Sequence, residues 1–208
     1  MQRQFLAAGG AVLAIFPMAA SAQDDPSISP AGPSLEAGPR AELVAAYEES
    51  GSDSGFLYGI RLGYDFSLAR NVTLGLEGEA ANSTLDTHST VNVGSDIVTV
   101  DADFGRILYA GGRIAFGVTP RVSIFGRAGY VNRRVSGRIE IFETAPSGAV
   151  TQIVDQRFQS FHDGFRVGVG AQARLAGSLY GGVEYRFEHY GGALADGHQT
   201  ALTLGLRF

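Results

Sequence analysis

From Arg40 onward the chain alternates apolar and polar residues with a period of two, interrupted by short Gly, Asn, Pro and Ser clusters. That period belongs to β-strands with two chemically different faces. Eight such strands are predicted, at about 40–49, 56–66, 72–81, 107–116, 122–132, 164–175, 179–190 and 198–208. In the second, "FLYGIRLGYDF", Tyr58, Ile60, Leu62, Tyr64 and Phe66 share one face, and Leu57, Gly59, Arg61, Gly63 and Asp65 share the other. The last strand carries Leu202, Leu204, Leu206 and Phe208 on a single side, so an apolar stripe runs to residue 208.

The two faces differ in bulk as well as polarity. One is Leu, Ile, Val, Phe and Tyr on strand after strand; the other is glycine with isolated Arg, Glu and Asp. Glycine accounts for 29 of 208 residues, about 14 %, against a usual ~7 %. The interior of an eight-stranded barrel is only wide enough to be filled by side chains. Charged side chains spaced by glycines fit it, whereas eight rows of bulky apolar groups would crowd it. The predicted fold is therefore an all-β, eight-stranded antiparallel up-and-down barrel turned inside out, its apolar face toward lipid. Closure removes the unpaired backbone edge that hydrocarbon would penalise by several kcal/mol per group. Strands near ten residues match a tilted crossing. The connections alternate: 67–71, 117–121 and 176–178 are tight, and 49–55, 82–106, 133–163 and 191–197 are longer.

The first 22 residues carry Arg3, an apolar stretch from Phe5, and Ala20-Ser21-Ala22 before Gln23. That is the three-part pattern of a cleaved signal peptide. Residues 23–39 hold four prolines and read as an extended linker. The expected organisation is a signal peptide at 1–22, a linker at 23–39 and a barrel at 40–208. A formal net charge of −5 argues against nucleic acid as a partner, and the lack of cysteine excludes disulfides and thiolate metal sites.

Charges on the glycine-rich face balance. Arg61, Arg113, Arg127, Arg166 and Arg186 meet Asp65, Glu77, Glu79, Glu184 and Glu188. Buried charges need partners. A turn centred on Ala69 sets Arg61 opposite Glu77, and one centred on Gly177 sets Arg166 opposite Glu188. No catalytic, cofactor or metal residues are assigned. "GVGAQA" at 168–173 approaches a dinucleotide fingerprint but runs into another strand rather than a helix. His88, His162, His189 and His198 lack metal-ligand spacing.

The stretches "RLGYDF" at 61–66, "RAGY" at 127–130, "VEYRFEHYGG" at 183–192 and the terminal "LGLRF" resemble small outer-membrane β-barrels of Gram-negative bacteria, the OmpA/OmpX-like porin-family type. The resemblance covers residues 40–208. It implies an outer-membrane location with both chain ends on the periplasmic side, contact with outer-membrane lipid and lipopolysaccharide, and a monomer. It also implies that the last strand, with Leu204, Leu206 and Phe208, is the address read by the barrel-assembly machinery. Some such barrels modify lipid A with a His–Ser pair near the outer rim, but His189 is followed by Tyr190-Gly191-Gly192, without the deacylase pattern. Unlike full-length OmpA, nothing here resembles a C-terminal peptidoglycan-binding domain, so wall tethering is not implied. The expected role is structural or surface-interacting, with the loops around 82–106 and 133–163 meeting an extracellular ligand. The alternative is a narrow passive pore for ions or small solutes, and a third reading, with faces reversed, is a secreted lipocalin-like carrier.

Overall fold

The computed structural model describes residues 35–94, 96–144, 150–192 and 194–208. The expected signal peptide and most of the expected linker lie outside the described residues. The described residues form ten strands: β1 Gly38–Ser50, β2 Asp53–Ala69, β3 Val72–Ser83, β4 Asp86–Val93, β5 Asp96–Asp103, β6 Arg106–Gly117, β7 Val122–Thr144, β8 Val150–Ala176, β9 Leu179–Tyr190 and β10 Gly197–Arg207. Eight form a closed antiparallel ring in the order β1-β2-β3-β6-β7-β8-β9-β10, sealed where β10 pairs with β1 from Arg40↔Arg207 to Ser50↔Gly197. The final backbone bond, Phe208 N to Pro39 O at 2.9 Å, carries the seam to the last residue.

The ring is apolar outside. Leu62 is 60 % exposed, Leu76 66 %, Val169 64 % and Leu202 65 %. So continuous a greasy surface is stable only against hydrocarbon. The short turns β2–β3, β6–β7 and β8–β9 share one end with the start of β1 and the end of β10, here termed the turn end. The β8–β9 reversal uses Gly177 at φ +51°, a left-handed backbone that glycine adopts without steric conflict.

At the opposite end the structure departs from expectation in three places. The connection expected at 49–55 is a two-residue turn, because β1 runs to Ser50 and β2 starts at Asp53. The segment 82–106 contains the β4–β5 hairpin, and most of 133–163 is strand, as β7 and β8 stay paired from Val122↔Ala173 to Thr144↔Val150. β5 adds to β7, from Asp96↔Glu143 to Asp103↔Ser136. A four-stranded sheet, β4-β5-β7-β8, therefore projects beyond the ring.

The reason lies in an inversion of the two-residue pattern. Inside the ring Arg127 and Arg133 of β7 face inward while Ile124, Ala128 and Tyr130 face outward. Further along, with no register shift before Ile141, Val135, Ile139 and Ile141 take the inward side, and Ser136, Arg138 and Glu140 the outward. β8 inverts in the same way, from outward Phe165, Val167 and Val169 to outward Arg157 and Asp155. The alternation needed for a strand persists, but its polarity reverses where the outer side passes from hydrocarbon into water. Tyr130 to Arg134 marks that boundary on β7.

Candidate functional site

All ten charged residues predicted for the lumen point into it, none more than 7 % exposed. They do not pair one to one; they form a lattice. Glu79 receives Arg61 Nη2 at 2.5 Å, Arg166 Nη1 at 2.8 Å and Arg186 Nη1 at 3.1 Å. Glu184 lies 2.9 Å from Arg127 Nε and 3.2 Å from Arg186 Nη2. Arg166 also reaches Glu188 at 2.5 Å. Asp65 takes Arg113 Nη1 at 3.0 Å and Arg207 Nη2 at 2.7 Å, and Glu77 lies 3.0 Å from Arg127. Sharing each carboxylate among several guanidiniums offsets the desolvation that an isolated buried pair would suffer.

Register explains which cross-strand pairs form. β8 and β9 set Arg166 opposite Glu188, as the turn at Gly177 implies. β2 and β3 set Arg61 opposite Glu79, with Glu77 opposite Gly63. The expected Arg61–Glu77 alignment is thus off by two residues. The turn residues are Arg70 and Asn71, between the paired Ala69 and Val72, rather than a turn centred on Ala69, and an offset of two residues leaves every side chain on its face.

Several lattice members escaped the sequence reading. Arg40 binds Glu42 at 2.9 Å, Asp65 at 3.2 Å and Glu77, and Glu42 also accepts Tyr180 Oη at 2.9 Å. The signal was present in the parity of Arg40, Glu42 and Glu48 along β1, but alanines on both faces blur that strand's polarity. Arg133, bound to Glu48, lies in the 133–163 stretch that the sequence pattern predicts as a loop. Aromatic rings complete the filling: Arg113 and Arg127 both lie 4.7 Å from the Phe125 ring, and Arg166 4.9 Å from Tyr109, in cation–π contact. Tyr109 in turn needs the inward glycines of its neighbours. A Cβ on Gly129 would stand 2.3 Å from Ala110 O and 2.8 Å from the Tyr109 ring.

Toward the sheet end the filling changes character. Val44, Ala46, Leu57, Ala81, Ile107, Val131, Tyr190 and Ala201 form an apolar cluster within the ring, with Leu194 packed against it. Ile107, Val131 and Ala201 are fully buried. Above the cluster, Glu48 binds Arg133 and accepts Ser83 Oγ at 3.0 Å. The lumen thus holds the ionic lattice and an apolar cluster side by side, with Arg133 bound to Glu48 and also 3.8 Å from Glu188 of the lattice.

The remaining predicted residues fall elsewhere. Leu204, Leu206 and Phe208 face outward, 47 %, 42 % and 71 % exposed. Gly168 and Gly170 lie mid-strand on β8. His189 pairs with Asp196 at 2.7 Å and His198 with Tyr185 Oη at 2.6 Å. His88 pairs with Asp101 on the projecting sheet. His162 lies 2.9 Å from Ser160 Oγ, a serine–histidine contact invisible in the sequence reading because it falls on the extension of β8. Among the described residues no carboxylate hydrogen-bonds the His162 ring, so the orienting third group of a triad is missing there. Nor do the described residues contain a group of three or more His, Cys, Asp or Glu able to hold a metal ion.

A family model described as outer membrane protein beta-barrel domain matches residues 8–208. The chain belongs to that family. No curated protein matches the chain. Among solved structures it is similar to Ail, the attachment invasion locus protein of Yersinia pestis, at 10 % identity and TM-score 0.52, with 83 % of this chain and 97 % of that one covered. Ail in complex with the heparin analogue sucrose octasulfate is matched at 11 % identity and TM-score 0.50, with the same coverage. The N-terminal β-barrel domain of Pseudomonas aeruginosa OprF is matched at 14 % identity and TM-score 0.46, covering 83 % of this chain and all of that one. At these identities the likeness is one of fold. Family membership sets this barrel in the outer membrane, its apolar belt in lipid.

Proposed function

We propose that this protein is a non-catalytic, non-conducting outer-membrane barrel whose projecting sheet is a surface for extracellular contact. The observation that carries the reading is the filled lumen. A passive pore needs a continuous wet path, and here the lumen is occupied by buried ion pairs and by an apolar cluster in which Ile107, Val131 and Ala201 have no solvent exposure. The projecting sheet presents His88, Asp101, Arg138 and Asp155 on its outward side, a row of polar groups suited to a polar ligand. Ail, similar only in fold, has been solved with a heparin analogue; that supports asking about anionic saccharides and goes no further.

In this reading residues 1–22 are removed on export, 23–39 link the cleavage site to the barrel, and the turn end faces the periplasm. The barrel-assembly machinery reads Leu204, Leu206 and Phe208. The protein works as a monomer, bathed in outer-membrane lipid and lipopolysaccharide.

Liposome swelling and planar-bilayer recordings test the closed lumen. Reconstituted protein should give no steady openings and no solute uptake above empty vesicles. Sustained conductance abolished by Arg127→Ala would overturn it. Replacing residues 86–103 by a short turn tests the sheet: heat-modifiable migration should persist while surface binding is lost.

A further inference from the structure

We propose that Arg106 and Arg134 form a binding site for the phosphate of a lipid headgroup in the outer leaflet, with Phe161 seated where the acyl chains begin. This deepens the proposed orientation and rests on it. The register sets the geometry. Ile107 opposite Arg133 brings Arg106 beside Arg134 on the outward side of β6 and β7, and Arg134 lies directly opposite Phe161 of β8. Two residues nearer the turn end, about 7 Å along a strand, come Leu108, Asn132 and Asp163, followed by Tyr130 opposite Phe165. Tyr130 and Phe165 are 52 % and 48 % exposed in the lipid-facing belt. The two arginines therefore stand at the level where hydrocarbon gives way to headgroups.

Their pairing differs from that of the lumen arginines. Every lumen arginine has a carboxylate partner, whereas Arg106 and Arg134, both exposed, form no ion pair among the described residues. The guanidinium of Arg106 reaches across β7 to lie 5.8 Å from the Phe161 ring centroid, which brings two like charges together. Adjacent like charges on one sheet face repel unless an anion joins them. The carboxylates on that side do not serve. Asp163 is taken by Asn132 Nδ2 at 2.7 Å and by Tyr130 Oη. Asp103 is level with Ser136, one row further from the membrane, and faces Asp86. Two planar forks side by side suit a phosphate, which accepts paired N–H donors. The half-exposed Phe161 beside them suits a phosphate that carries acyl chains rather than a free ion.

The test uses the refolded full barrel in detergent and purified lipopolysaccharide, either with its phosphates intact or after phosphatase treatment. Each basic residue near a phosphate surface contributes roughly 5-fold in affinity, so the pair contributes roughly 30-fold. Wild type should bind the phosphorylated form roughly 30-fold more tightly than the treated form. Arg106→Gln with Arg134→Gln should erase that ratio, Arg134→Lys, which keeps the charge but loses the fork, should keep only part of it, and Arg157→Gln, further out on β8, should leave it unchanged. The proposal is overturned if a heat-modifiable double Gln variant keeps the ratio, if Arg157→Gln loses as much, or if inorganic phosphate competes as well as lipopolysaccharide. The orientation beneath it has its own readout. Ser89→Cys, the chain's single thiol, should react with a membrane-impermeant maleimide on intact cells; unreactive cells would sink the orientation and with it the outer-leaflet source of the lipid.

Discussion

Glu79→Gln is the sharpest probe of the lumen. Glu79 accepts guanidiniums from three strands, at 2.5 Å from Arg61, 2.8 Å from Arg166 and 3.1 Å from Arg186. At an effective dielectric of about 20, one charge pair some 4 Å apart is attracted by about 4 kcal/mol. Three such pairs are not lost outright. Arg166 keeps Glu188, Arg61 keeps Glu42 at 2.6 Å, and Arg186 keeps Glu184. The lattice nonetheless loses balance: seven buried arginines (Arg40, Arg61, Arg113, Arg127, Arg133, Arg166 and Arg186), with the half-buried Arg207 at the edge, face seven carboxylates (Glu42, Glu48, Asp65, Glu77, Glu79, Glu184 and Glu188), and the seven would then face six. Removing one partner of a buried pair typically destabilises by about 3–5 kcal/mol, and that is the loss expected here. With no tryptophan in the chain, urea titration in lipid vesicles is best followed by heat-modifiable gel migration, with linear extrapolation to water. A change below about 1 kcal/mol would mean that water or rearranged side chains compensate freely, and the dry ionic lattice would be wrong. Because the apolar cluster lies elsewhere, Glu79→Gln should also leave the reconstituted barrel non-conducting.

Three other outcomes are expected. Gly129→Ala drives a Cβ against Ala110 O and the Tyr109 ring, and overpacking of this kind should lower stability by about 1–3 kcal/mol in the same titration. Phe208→Ala keeps the backbone bond to Pro39 and removes a ring 71 % exposed, so refolding in vitro should be unchanged while the amount of folded protein in the outer membrane of cells falls; equal levels would remove Phe208 from the assembly address. On the projecting sheet, Arg138 donates to Asp155 at 2.7 and 2.5 Å, and these hydrogen bonds hold the carboxyl below its ordinary range. A depressed folded-state pKa means the pair supports the sheet fully above the unfolded value near ~3.9 and loses its effect as pH falls through the lower folded value. Amide protection in β7 and β8 beyond the ring, taken relative to the intrinsic exchange rate at each pH, should therefore fall on acidification from about pH 5 to about pH 2, and Asp155→Asn should abolish that dependence.

The ring strands were legible because each carries a strict alternation whose two faces differ in bulk. Tyr58, Ile60 and Leu62 against Arg61 and Asp65 leave no choice of side. β1 was harder, since Ala41, Ala45 and Ala46 put the same small residue on both faces, and Arg40, Glu42 and Glu48 went unassigned. The projecting sheet was missed for a different reason. "RRVSGRIEIF" at 133–142 alternates as cleanly as any membrane strand, but it is charged outside and apolar inside, and a membrane barrel was expected to be the reverse.

Face assignment, closure and the identity of most lumen charges follow from sequence alone, because a period of two leaves every residue only two directions to point. What tertiary structure decided is distance along the barrel. Arg61 opposes Glu79 rather than Glu77 because the turn falls at Arg70 and Asn71 instead of being centred on Ala69, and a two-residue slip leaves each face unchanged. The apolar cluster of Val44, Ile107, Val131 and Ala201, drawn from four strands, and the paired arginines 106 and 134, from two, arise from register between strands, which alternation within a strand does not encode.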